Sequence, residues 1–521
     1  MTRNQQTQRR LASRRTFIKA AVALGSSWQI LNRGMAAQGA TLLNQAPITR
    51  KDARDLSDDE ADKYREAFRR VKAIGPERPV WQDGGIQVPS QAGLNKIGYS
   101  YQALIHTNNC PHRNWWFLPW HRAYLFTFEQ VLRAAVADYK PAVSLAVPYW
   151  NWTEENSLPR IFTEDPSTNP LYDERRFSFP ITDEDVGREV IRNAVDNIDT
   201  FPPFGSGRVC SKRAMGAEGP LEHGPHDSVH GSVGGFTDEN DPSTFGTMTA
   251  PLTSAFDPIF WSHHSNLDRL WNVWLSQTGH VTPSFDDPCR SGSSVSSVTW
   301  GNMRFDEFVD ATGAPINRTS REYMEDPILA SVTYKPFGGA PVPFVAPAAP
   351  KERNPMPVAE MAAAVTADAP LELTLGQPIT LQAPVAEQLR TRLSAIRDAV
   401  AEPASFVVEK VLPPQGFAAV RVRAFLNNPN ATAETSYKDP SYIGYFAFFA
   451  GPHGHGHEAD QGADYVLNLV PAIKRLGKKF DESQPLKITL VMVPKNEASA
   501  EALKRAKPRS KFASAKVVLG K

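Results

Sequence analysis

The chain has 521 residues, a formal net charge of +1 and 22% charged residues, with acids and bases interspersed. That balance excludes a basic nucleic-acid surface and a polybasic membrane anchor. Three cysteines exclude a disulfide scaffold, eleven Trp and 27 Phe can fill a large core, and the length predicts two or three domains.

Taken in chain order, Ser13-Arg14-Arg15-Thr16-Phe17-Ile18-Lys19 reads as a twin-arginine export signal. A weakly apolar run follows from Ala20 to Leu24 and on to Trp28 and Ile30, and the small residues Gly34, Ala36, Ala37 and Gly39 mark cleavage. Residues 1–39 are therefore expected to be a signal peptide, and the mature protein periplasmic or secreted. No other segment approaches the roughly 18 apolar residues of a membrane span. A helix is predicted over about 57–74, opened by the capping box Ser57-x-x-Glu60 and closed by Gly75-Pro76. His121 starts the helical run HRAYLFTFEQVLRAAV, and residues 150–220 read as Pro-rich loop with a helix near 183–197. His264 opens HSNLDRLWNVWL, with Leu267, Leu270, Trp271 and Trp274 at helical spacing. A first, mainly α domain is expected over 40–340 and a Pro/Ala-rich linker over 341–380. Beyond it, FVVEKVL, FAAVRVRAF, YIGYFAFFA, DYVLNLV, LKITLVMV and AKVVL read as strands of a β-sandwich over 381–521, preceded by one helix from Leu389 to Val400.

Eight of the twelve histidines lie between His106 and His264. Six form two sets of three: His106, His112 and His121, then His226, His230 and His264. His226 and His230 are four apart, so on a helix they stack one turn apart on one face. His106 and His112 are broken by Asn108, Asn109 and Pro111 and are expected on irregular backbone. Imidazole is the commonest metal ligand, and two such sets imply two metals held by nitrogen, each with an open position. The expected setting is a four-helix core. Zinc is a rival for His226 and His230 alone, but Asp227 stands where the zinc-protease motif places Glu. The all-nitrogen set argues against a carboxylate-rich di-iron site and favours two copper ions, between which O2 could bind. His223, His263 and His280 read as core or outer residues. Asp268, four residues after His264, could accept a ligand histidine's ring N–H or pair with an Arg.

The text HTNNCPH, WWFLPWHRAYL, LEHGPHDSVHG and DPIFWSHHSNLDRLW resembles the tyrosinase/polyphenol oxidase family of type-3 copper proteins, related to molluscan haemocyanins. The resemblance covers roughly residues 50–340 and is weaker beyond. It implies copper A on His106, His112 and His121, and copper B on His226, His230 and His264. It implies a phenolic substrate with O2, ortho-hydroxylation of monophenols and oxidation of o-diphenols to o-quinones. It further implies a Cys110–His112 thioether, and a water held by Glu222 that takes the phenol proton. Asp227 replaces the Asn common in relatives at the next position. Cys210 and Cys289 are free to pair after export. The C-terminal β-rich domain is expected to lie over the pocket, with Phe448 or Phe449 in place of a substrate ring. A catechol oxidase without hydroxylase activity, or an O2 carrier, shares the ligand set. Thr249-Ala250-Pro251-Leu252 carries no bulky Phe over copper A, which favours monophenol access. The alternating His453, His455 and His457 could bind a further metal ion.

Overall fold

The computed structural model describes residues 48–82, 85–291, 294–336, 342–343, 361–364, 366–367, 371–398, 403–414, 416–449, 462–503 and 507–519. The export signal, His453, His455, His457 and the last residues of the Leu389–Val400 helix lie outside them.

The first region is built on long helices. Helix α1, Asp58–Ile74, begins where the capping box places it, with Ser57 and Glu60 exchanging both bonds and three acids in the first turn. Helix α2 spans Tyr99–Asn109 and α3 Phe117–Ala135. Nearly every residue of α3 is buried, so it lies inside the region rather than on its surface, and its buried Arg122 and Glu129 are paired. The helix near 183–197 is two pieces, α4 over Asp183–Val186 and α5 over Arg188–Val195. A π-helical turn, Glu222–His226, runs straight into α6, Asp227–Gly234, and α7 covers Ile259–Ser276. Helices α1, α3 and α7 pack on one another around a core of Trp, Phe and Tyr. The Phe128 and Trp261 rings stack at 3.7 Å, a contact worth about 0.5–1.5 kcal/mol beyond its burial.

The second region is two five-stranded sheets. In chain order the strands are β1 (Ala217–Glu218), β2 (Met361–Ala364), β3 (Thr366–Ala367), β4 (Pro378–Ala383), β5 (Ala404–Val411), β6 (Val420–Leu426), β7 (Tyr442–Phe446), β8 (Ala463–Asn468), β9 (Leu486–Pro494) and β10 (Ser514–Leu519). One sheet runs β2-β10-β5-β8-β1 and the other β3-β4-β9-β6-β7. Alternate residues of both, such as Phe406, Val408, Val422, Ala424, Leu467, Ile488, Leu490 and Val517, meet in one core. A helix, α8 (Glu387–Arg397), packs beside them. Of the segment 341–380, expected as linker, the described residues include β2, β3 and the start of β4. In β4 the alternating Ile379, Leu381 and Ala383 pair with β9, and Pro378 takes the first strand position, where its missing N–H is tolerated.

Strand β1 comes from the helical region yet pairs in parallel with β8, Asp464 facing Ala217 and Tyr465 facing Glu218. The sheets are thus joined to the segment that leads into α6. Among the described residues no helix is long and apolar enough to cross a membrane.

Candidate metal centre

The six histidines converge. Helices α2, α3, α6 and α7 carry His106, His121, His230 and His264, the π-helical turn carries His226, and His112 sits on irregular backbone before α3. One expectation is corrected: His106 is helical. Asn109 ends α2, so the turn residues mark the stop after His106 rather than a break before it. Helices α3 and α7 also start a turn earlier than expected, at Phe117 and Ile259, without a side-chain cap to announce them.

The rings form two facing sets. His106 lies 5.4 Å from His112 and 5.6 Å from His121, and His112 lies 5.4 Å from His121, between ring centres. His226 lies 4.6 Å from His230 and 5.3 Å from His264. Across the gap His121 stacks on His264 at 4.4 Å, and His112 is 5.5 Å from His226.

The second ring nitrogens explain the aim. The Nδ1 atoms of His106, His121 and His230 face the carbonyls of Pro251, Phe117 and Met248 at 3.0, 2.8 and 2.9 Å. That of His226 faces Asp227 Oδ1 at 2.7 Å. Each acceptor draws the proton to Nδ1 and leaves Nε2 as a lone-pair donor. The Nε2 atoms of His112, His121 and His226 are buried with no hydrogen-bond partner, and those of His230 and His264 approach to 3.4 Å. Burial lowers the pKa of His121 and His226 to about 3, and holds His112, His230 and His264 well below the ordinary imidazole range. Neutral imidazoles with orphaned, converging Nε2 atoms fit two metal ions of the copper type.

Two neighbours come within ligand range of these sets. Cys110 offers its sulfur within 4.8 Å of the ligand atoms of His106 and His112, and His263 is as close to those of His226, His230 and His264. His263 has a competing partner: the Trp152 indole N–H donates to its Nδ1 at 3.2 Å. Sequence reasoning did not single out Trp152, because nothing local marks a pairing over that separation.

The carboxylates divide. Glu222 is buried; its Oε1 accepts from the Arg113 backbone N–H at 2.7 Å and its Oε2 from the Ser206 hydroxyl. Burial, then the nearby Glu218 carboxylate, pushes the Glu222 carboxyl well above the usual range. Burial lifts Asp227 to about 8, against the pull of the Arg113 guanidinium. Asp268 turns away from the ligands. It accepts from Arg50 at 2.9 Å, from Arg122 and from the Tyr334 hydroxyl, so its pairing is with arginines, and no ligand-histidine bond forms. Arg50 also holds Glu129, which makes a buried ionic cluster behind α3 and α7. Cys210 and Cys289 form a disulfide over 79 residues, while Cys110 is in none.

The sheets reach this centre through Phe449. Its ring stacks on His230 at 4.1 Å and meets His112 and His226 edge-on, both at 5.3 Å. Phe448 points elsewhere, into the sheet core beside Phe446 and Tyr465. Polar contacts hold the two regions together. The His223 ring donates to Val466 O at 2.8 Å, Ala447 N–H donates to His223 O at 2.8 Å, and Arg423 pairs with Glu184 at 2.7 Å. Lys495 donates to Ser228 O at 3.1 Å, and Arg421 pairs with Glu184 and Asp185, both at 3.2 Å.

The model of the common central domain of tyrosinase matches residues 92–214 and 192–277. Tyrosinase HcTyr1 of Hahella sp. is 30% identical over 349 residues, 62% of this chain and 66% of that protein. The latent polyphenol oxidase of Prunus armeniaca is 24% identical over 411 residues, 74% of this chain and 62% of that protein. The chain thus spans just under two thirds of the length of these curated relatives. Among solved structures, latent apple tyrosinase superposes with a TM-score of 0.61 at 19% identity, covering 92% of this chain and 98% of that one. A latent aurone synthase gives 0.61 at 20% identity, covering 92% and 90%.

Proposed function

Because this chain belongs to the tyrosinase/polyphenol oxidase family, we propose that it is a copper-dependent oxidoreductase that oxidises phenols with O2. The observation that carries the reading is the convergence of six imidazoles whose Nδ1 atoms are largely occupied and whose rings face one another. His106, His112 and His121 would hold copper A, and His226, His230 and His264 copper B. Two bound coppers would supply the O2 binding and the electron-accepting chemistry.

The chain's own residues do the rest. His263 is kept from ligation, because an Nδ1 that accepts from Trp152 leaves the ring proton on Nε2. Phe449 marks where an aromatic ring fits: flat on His230, edge-on to His112 and His226. A phenol must displace it, so residues 381–521 act as a shield. Glu222, clamped at both oxygens, orients a water that takes the phenol proton, and Asp227 keeps His226 in the ligating tautomer. The resemblance and the proximity of the Cys110 sulfur to His112 support a thioether between them, which would fix a ligand that no helix holds.

The finer reading is a tyrosinase that hydroxylates monophenols and oxidises o-diphenols. The loop Thr249–Leu252 favours it. Its Pro251 carbonyl bonds His106, and none of its residues is aromatic. The second reading is a catechol oxidase with the same ligands. Export through the twin-arginine pathway, which carries folded proteins, belongs to the proposal and suits a protein loaded with copper before export. The test is oxygen uptake by the copper-loaded protein with tyrosine-like monophenols against catechols. Uptake with both supports tyrosinase, uptake with catechols alone supports the second reading, and uptake with neither removes both.

A further inference from the structure

Two residues other than glycine adopt left-handed backbone beside the histidines, and both end on the same carboxylate. Arg113, directly after His112, has φ 59°, and Ser206 has φ 73°. This region is disfavoured for any L side chain, and glycine would relieve it. Such conformations persist where the surroundings overdetermine them, and they gather at functional sites.

Both backbones are overdetermined. On either side of Ser206, Gly205 N–H donates to Phe201 O at 2.6 Å and Gly207 N–H to Ala217 O at 2.7 Å. The Arg113 carbonyl accepts from Gly216 N–H at 2.6 Å. The side chains retained there have defined tasks. The Ser206 hydroxyl is fully buried and accepts the Gly219 N–H at 2.9 Å, so its own proton goes to Glu222 Oε2. The left-handed turn at Arg113 aims its backbone N–H at Glu222 Oε1, 2.7 Å away, while its guanidinium holds Glu218 Oε1 at 2.5 Å. Each Glu222 oxygen is therefore held by one strained residue, and the two come from different segments. Glu222 in turn opens the π-helical turn that ends at His226.

We propose that Ser206, with Arg113, is a positioning residue that locks the orientation of the Glu222 carboxyl group before substrate binds, and that the strain at φ 73° is kept because glycine cannot supply the hydroxyl. The inference rests on the phenol-oxidase reading for what Glu222 then does, but not for the clamp itself. A carboxyl group free to rotate would have to be ordered anew in each turnover, which lowers the rate of proton transfer more than binding.

The test uses two substitutions in the full chain, each made with and without Phe449→Ala so that the pocket is also measured open. Ser206→Gly removes hydroxyl and strain together, whereas Ser206→Ala removes the hydroxyl alone. Both should retain two coppers and lose about tenfold in kcat on a small monophenol, with KM changed by less than about twofold. The Gly variant should melt at a higher temperature than the Ala variant. In crystals of the metal-free variants the Glu222 side chain should leave its Ser206-facing position. A Glu222 unmoved in metal-free Ser206→Gly, or wild-type kcat in both variants, overturns the clamp. If the parent chains carry two coppers and oxidise no phenol even with Phe449→Ala, the phenol-oxidase reading fails instead, and the metal-free crystals still decide the clamp.

Discussion

The two histidine trios face each other but are held by opposite means. In the second trio, backbone order does the work: the π-helical turn and α6 run on without a break and present His226 and His230 on neighbouring turns, and α7 brings His264. The Nδ1 acceptors are near in sequence too, Asp227 beside His226 and Met248 eighteen residues after His230. The first trio has helical ligands at its ends, but His112 sits between helices. It is flanked by Pro111 and the left-handed Arg113, with the Cys110 sulfur within 4.8 Å of its ligand atom. A ligand on a helix is fixed by the local chain, whereas a ligand on irregular backbone depends on tertiary contacts, and that is where the site is most easily disturbed.

The largest effect removes a helical ligand. His230→Ala or His264→Ala should release one copper and abolish oxidation, because two imidazoles and a cavity hold the metal poorly. Metal analysis with oxygen uptake checks it, and full activity or a single bound zinc would contradict the reading. The next effect opens the shield. Phe449→Ala, or a cut within 340–360, should raise turnover of bulky diphenols by about tenfold, the scale of one displaced aromatic stack near 1.4 kcal/mol. A cut protein that is folded, copper-loaded and no faster would remove the shielding role. Third is Glu222→Gln, which should lower monophenol hydroxylation by about tenfold and diphenol oxidation less, since bound diphenols deprotonate more readily. Equal losses on both substrates would leave Glu222 a structural residue.

The contrast between the trios also explains what the sequence made legible. The spacing of His226 and His230 is a property of helices, and it was readable because helix period and metal demand coincide. The capping box at Ser57 was readable for the same local reason. The helical state of His106 was not, since Asn108, Asn109 and Pro111 signal a break without saying on which side the ligand falls. Strand β4 hid in a Pro/Ala-rich stretch because its partner β9 lies more than a hundred residues on. The Cys210–Cys289 bond and the roles of Ser206, Arg113 and Trp152 are long-range pairings with no local pattern. Asp268 lay at the right helical spacing, but burial beside Arg50 and Arg122 decided its partner.

A smaller effect sharpens the account of the loop ligand. If sulfur ties Cys110 to His112, the peptide holding both should be lighter by two hydrogens and resist thiol alkylation. Cys110→Ser should then weaken copper A by a few-fold, less than the roughly 10–100-fold loss that follows removal of an outer contact orienting a ligand. An alkylatable Cys110 in active protein would leave His112 positioned by its neighbours alone.

The smallest effect belongs to the helical trio and probes how much of its order is local. Asp227 Oδ1 accepts from His226 Nδ1 at 2.7 Å, between residues adjacent in the chain. An asparagine offers an amide oxygen on the same short side chain, so Asp227→Asn should keep the ring orientation and the ligating tautomer. The carboxyl is lifted to about 8 chiefly by burial, so a neutral group suits this position near neutral pH. Copper content should stay at two per chain and turnover within about twofold of the parent, because neither ligand geometry nor the Glu222 contacts change. Asp227→Leu, which has no acceptor, should lower copper B occupancy, as His226 Nδ1 then loses its partner. If Asn is as damaging as Leu, the charge of Asp227 matters and not its oxygen, and the second trio depends on its electrostatic surroundings as much as on the helix that presents it.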